Sequence, residues 1–90
     1  MPKYVIEREV PGVGTLMAEQ LREGAQESNQ VIRELGPDIK WLMSYVTDDK
    51  IYCVYVAPDE DIIREHAVCL KVPADRISRV VTITDPATGE

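Results

Sequence analysis

The 90-residue chain contains no phenylalanine, one histidine, one tryptophan and two cysteines. Each shortage excludes something. A structural zinc site takes about four Cys or His ligands at regular spacing. Cys53, Cys69 and His66 give neither that number nor a Cys-x-x-Cys pair. The two cysteines read as free thiols rather than as a disulfide framework. Basic charge is also scarce, with ten Lys and Arg against sixteen Asp and Glu and a net charge of −6. The basic residues are scattered, mostly beside acids, which argues against nucleic acid and against an anionic membrane surface as partners. Long apolar runs are missing too. The longest, Ile51–Pro58, falls far short of the roughly 20 residues that span a bilayer. Met1-Pro2-Lys3-Tyr4 does not open a signal peptide. The expectation is a cytoplasmic protein.

The composition that remains, 44% hydrophobic and 29% charged, is that of a globular protein. The length allows one domain, residues 1–90. Asp85–Glu90 is the one stretch whose composition suits disorder. A chain this short buries a limited share of its surface, so a dimer interface would add substantially to its stability.

Periodicity and stop signals give the order of elements. Lys3–Glu9 reads as a strand ended by Pro11-Gly12-Val13-Gly14. Thr15 is the expected N-cap of a long helix. Met17, Leu21, Gly24, Ala25, Ser28, Val31, Ile32 and Leu35 recur at three- and four-residue spacings on one face of it. Gly36-Pro37 stops it. Ile39–Thr47 and Ile51–Val56 are rich in β-branched and aromatic residues and flank Asp48-Asp49, which predicts a β-hairpin. A second helix opens at Pro58-Asp59, with three acids in its first turn, and ends by Pro73. Arg76–Thr84 is the last strand expected. The order βαββαβ is the split-βαβ pattern. It predicts an α+β, ferredoxin-like fold: a four-stranded antiparallel sheet with two helices on one face.

Side chains alternate across a strand. With an even-length hairpin loop, Tyr45 faces Tyr52, Met43 faces Val54 and Trp41 faces Val56. Leu42, Ser44, Val46, Ile51, Cys53 and Tyr55 then share the other face. An odd-length loop would pair Tyr45 with Cys53 instead. In either register both faces of the hairpin are apolar, and two helices cover only one of them. A large uncovered apolar face marks an interface. The expected partner is a second copy, packed sheet to sheet as in dimeric α+β barrels.

Several residues carry candidate chemistry. His66 is the lone imidazole, a metal ligand or an acid–base group. It lies one helical turn before Cys69, so the two share a helix face. The plainer reading is a core histidine bonded to backbone. Cys53, in a strand, is a candidate thiolate ligand or a nucleophile for His66, and otherwise a small buried hydrophobe. Glu7 and Glu9 share a strand face and offer paired carboxylates, or simply a solvated strand edge. Tyr4, Tyr45, Tyr52, Tyr55 and Trp41 all sit on strands. They would line a pocket, or form core and interface. The glycines near Gly12 lack both the dinucleotide spacing and the P-loop Lys-Ser/Thr, so no nucleotide site and no organic cofactor is expected.

The run Trp41-Leu42-Met43-Ser44-Tyr45-Val46-Thr47-Asp48-Asp49-Lys50-Ile51-Tyr52-Cys53-Val54-Tyr55 resembles the signature of a family of small bacterial proteins. So do Ala57-Pro58, Ile63–Ala67, Pro73–Ser78, Glu7-Arg8-Glu9 and Asp85-Pro86. That family is a domain of unknown function, some of whose members are described as nickel-binding proteins. The resemblance implies a ferredoxin-like homodimer. It also implies nickel, or another divalent transition metal, as ligand. The residues here that match the family and carry ligating atoms are His66, Cys53, Tyr45 and Glu7. The chain departs from the family at Met43, where relatives often carry histidine. It departs again at Leu70-Lys71-Val72-Pro73, in place of a glycine-rich approach.

Three functions are consistent with these observations. The first is a homodimeric metal-binding protein without catalysis. The second is a dimeric α+β barrel enzyme, monooxygenase- or isomerase-like, working in an aromatic-lined pocket. The third is an interaction module without chemistry.

Overall fold

A computed structural model describes all 90 residues. Strand β1 (Lys3–Glu9) leads through a short 3-10 turn (Val13–Thr15) into helix α1 (Ala18–Leu35). The hairpin β2 (Lys40–Val46) and β3 (Lys50–Val56) follows, then α2 (Glu60–Leu70), β4 (Arg76–Arg79) and a terminal 3-10 turn (Pro86–Gly89). The sheet order is β2-β3-β1-β4, antiparallel throughout. This is the ferredoxin-like arrangement expected from the element order. It makes β1 a central strand, with Glu7 paired on both sides and Glu9 beyond the end of β4.

One sheet face carries the core. Tyr4, Ile6 and Arg8 of β1 alternate into it, as do Cys53 and Tyr55 of β3. Ile39, Ala57 and Ile63 complete the buried cluster. The helices cover this face unequally. Ile63, His66 and Ala67 of α2 are buried, but Ser28 is the one buried residue of α1. Gly24, Ala25 and Ser28 are too small to fill the space between α1 and the sheet, and a cleft results.

The hairpin takes the even register, with Tyr45 opposite Tyr52 and Met43 opposite Val54. One expectation fails. A β-bulge between Trp41 and Met43 pairs Trp41 with Tyr55 rather than Val56. The extra residue resets the alternation, so Trp41 turns to the helix side and lines the cleft. Two other boundaries move. Thr15 does not cap α1: its hydroxyl donates to the Gly12 carbonyl at 2.7 Å, and the helix starts after Met17, whose N–H donates to Gln20 Oε1 at 2.9 Å. The last strand stops at Arg79 rather than Thr84. Its partner β1 begins at Lys3, and the Val80 N–H to Lys3 carbonyl bond (2.8 Å) is the last rung available. Val81 and Ile83 run on unpaired, 95% and 68% exposed. Asp85–Glu90 is ordered by capping, with Asp85 Oδ1 accepting from the Thr88 N–H at 3.2 Å.

The start and stop of α2 follow the sequence. Asp59 Oδ1 accepts from the Ile62 N–H at 3.2 Å, and Glu60 and Asp61 lie at the positive end of the helix dipole. The opposite sheet face has no cover. Val5, Tyr52, Val54 and Val56 share it with the exposed Met43 and Tyr45. Lys50 holds Glu7 and Glu9 there, at 3.9 and 4.0 Å.

Candidate functional site

The cleft between α1 and the sheet has a volume of about 330 Å³, at the small end of the range for ligand sites. Apolar side chains make most of its wall, among them Val13, Leu16, Leu21, Val46, Ile51 and Leu70. A polar group breaks this wall: Arg8, Ser28, Ser44, Cys53 and Tyr55, with Trp41 beside them. Strand alternation explains why these residues meet. Arg8 is in phase with Tyr4 and Ile6, and Cys53 with Tyr55, so all project to the helix side.

Arg8 is 3% exposed. Its Nη1 donates to the Pro73 carbonyl, but Nη2 has no acceptor. No carboxylate pairs with it: the ion pairs of the chain are Lys50 with Glu7 and Glu9, and Arg64 with Glu60. Nearby, Trp41 Nε1 donates to Ser44 Oγ at 2.9 Å, and Ser44 Oγ donates to Cys53 Sγ at 3.0 Å. The Cys53 sulfur is thus held by Ser44 and not by His66.

His66 is fully buried beside this group. Its Nε2 shares a hydrogen bond with Ser28 Oγ at 3.2 Å, its Nδ1 has no partner, and its ring tilts against Tyr55 with centroids 5.4 Å apart. Burial lowers the His66 pKa from its usual 6.5, the Arg8 charge lowers it further, and a bond to Ser28 partly offsets both. The imidazole is therefore neutral at pH 7. Burial and the neighbouring Cys53 raise the Tyr55 pKa, against Arg8 and Ser28, which lower it. Tyr55 is a neutral phenol, so it supplies no counter-charge to Arg8.

The four residues named as metal ligands fall on two sides of the sheet. His66 and Cys53 are on the helix side. Tyr45 and Glu7 are on the open face, each directly opposite Tyr52 on β3. Cys69 is exposed and does not join His66. No three His, Cys, Asp or Glu side chains gather closely enough to hold an ion. The unpartnered His66 Nδ1 is a free donor atom. Arg8 is the residue that sequence reasoning missed. Between Glu7 and Glu9 it reads as surface charge, and its phase with Tyr4 and Ile6 was the available signal.

Fold and site together define a small ferredoxin-like α+β protein with an apolar cleft under its first helix. Residues 4–80 match the family described as nickel responsive protein, SCO4226-like. The chain belongs to that family. Its fold is also that of the crystal structure of SCO4226 from Streptomyces coelicolor A3(2), with a TM-score of 0.76 at 15% identity, covering 91% of this chain and 99% of the other. No curated protein sequence matches. No helix is long and apolar enough to cross a membrane.

Proposed function

We propose that the protein is a homodimeric binding protein, without a catalytic centre, whose ligand occupies the cleft under α1. The observation that carries this reading is the cleft itself, apolar over most of its wall and lined by Arg8, whose buried Nη2 has no partner. Orphaned buried donors and acceptors are costly, and a ligand that met them would offset that cost. The enzyme reading has less support, because the Cys53 thiol is bonded to Ser44 and the one imidazole is buried and tied to Ser28. Two features support the dimer. The open sheet face leaves Val5, Met43, Tyr45, Tyr52, Val54 and Val56 without cover, and Val81 and Ile83 continue past β4 with no strand to pair with. Light scattering should give twice the 10.1 kDa chain mass. A stable monomer at micromolar concentration would remove the dimer. Trp41 is the sole tryptophan and lines the cleft, so its fluorescence should respond to a small neutral apolar probe such as 1-octanol.

Nickel is a second reading, favoured by membership of a family described as nickel responsive. Its donors in one chain are divided by the sheet, so the ion would sit where two open faces meet, held by Glu7 and Tyr45. Calorimetric titration with nickel tests this. Lost heat in Glu7→Gln but not in His66→Ala supports the junction. The reverse moves the ion to His66 and Cys53, and no heat with the native protein removes nickel.

A further inference from the structure

We propose that the cleft selects a small apolar monocarboxylate, whose carboxylate pairs with Arg8 and whose hydrocarbon body lies along the wall under α1. This deepens the cleft-binding reading above and rests on it.

A guanidinium is cationic at every accessible pH, and moving it out of water is strongly unfavourable unless an anion or a full set of acceptors meets it. Arg8 is buried to 97% by the core and the cleft, and one of its terminal nitrogens has nothing to donate to. The protein offers it no anion: no carboxylate lies within ion-pair reach, and Tyr55 is held neutral. Glu7 and Glu9, its chain neighbours, point to the opposite face and engage Lys50. An anion entering the cleft would supply the compensating charge.

The surroundings fix the class of that anion. One cation matches one negative charge, and a net charge of −6 opposes multiply charged ligands. Arginine presents a planar fork suited to the two oxygens of a carboxylate. Ser28 and Tyr55, on the same wall, supply hydroxyl groups beside it. Around this polar group the lining includes Val13, Leu16, Leu21, Ile51 and Val72, which favours an aliphatic or aromatic body over a sugar or a phosphate ester. A volume of about 330 Å³ admits a small organic acid.

The test uses the full chain, Trp41 fluorescence and two probes of matched length, octanoate and 1-octanol. Octanoate should bind more tightly than 1-octanol by about tenfold to a hundredfold, the range of one charge-assisted bond. Arg8→Met keeps the stem and removes the charge, and should abolish that preference while leaving 1-octanol binding in place. Equal affinity of the two probes for the native protein would overturn the anion proposal and leave the cleft reading standing. A Trp41 response to neither probe would overturn both. The native comparison needs no variant, so it decides the matter even if Arg8→Met does not fold. Ala25→Phe, on the helix wall of the cleft, should weaken both probes together, and an undiminished response there would place the probes outside the cleft.

Discussion

Ser28 Oγ and His66 Nε2 meet at 3.2 Å and join α1 to α2 inside the core. Ser28 is the one buried residue of α1, and His66 has no other hydrogen-bond partner. Ser28→Ala should therefore cost more than the bond alone, because it leaves a buried imidazole with both nitrogens unpaired. The expected loss is about 1–3 kcal/mol, the cost of an unsatisfied buried polar group. Urea unfolding of native and variant protein measures it. A change within about 0.5 kcal/mol, typical of surface substitutions, would mean that the bond does not hold the helices together.

The same histidine sets a pH dependence. Its folded-state pKa lies below the usual 6.5, chiefly through burial and then through Arg8. The unfolded chain then binds a proton before the folded one does as pH falls, so stability drops with pH in that window. The contribution is fully present above pH 6.5 and is lost as pH falls from 6.5 toward the folded value. His66→Gln should flatten the slope between about pH 5 and 6.5, above the range where ordinary carboxylates titrate. Thermal unfolding at a series of pH values reads this directly. An unchanged slope in the variant would assign it to other groups.

Gly14 touches the hairpin turn. A Cβ there would stand 2.8 Å from Asp48 Cα and 2.9 Å from the Thr47 carbonyl oxygen, both backbone atoms. The Gly14 N–H donates to the Asp48 carbonyl at 3.0 Å, and the Gly12 N–H donates to Asp49 Oδ1 at 2.9 Å. Gly14→Ala must push the turn away and should cost about 1–3 kcal/mol. That corresponds to a Tm lower by roughly 4–8 °C per kcal/mol in a chain this size. Gly24→Ala is the control, since its Cβ meets nothing within 4 Å. It replaces a helix-interior glycine and should stabilise by up to about 1 kcal/mol. Equal effects at the two sites would mean that the close approach at Gly14 is not limiting.

Much of this fold is legible in the residues. Gly36-Pro37 and Asp59 bound the helices because their backbone and capping preferences are local. What failed depends on neighbours. Alternation cannot reveal the bulge that turns Trp41 into the cleft, because a bulge is a property of two strands. Val80–Thr84 keeps strand alternation, yet pairing ends where β1 ends. The site was half legible. His66 and Cys53 stood out by rarity, and both are buried on the helix side. Glu7 and Tyr45 matched a family pattern, and the sheet puts them on the other face. Arg8 was hidden by the acids on either side of it, which carry the eye to the surface.

Val54 lies opposite both Val5 and Met43, at the centre of the uncovered face. Only 12 of the 90 residues are buried in the single chain, so covering this face adds a second core where the first is small. Val54→Lys places a charge in the middle of the proposed interface, where covering it is costly. The side chain points away from both helices, so the fold of each chain should survive, with helical circular dichroism unchanged. Light scattering should show the variant at the single-chain mass of 10.1 kDa and the native protein at twice that. Removing Val81–Glu90 takes away the unpaired extended segment, which would add a strand to the partner's sheet. That truncation should raise the concentration at which the dimer forms, by about tenfold or more if several backbone bonds are lost. If Val54→Lys stays dimeric, the contact lies elsewhere; if the truncated chain dimerises as the native one does, the exposed Val81 and Ile83 take no part in it.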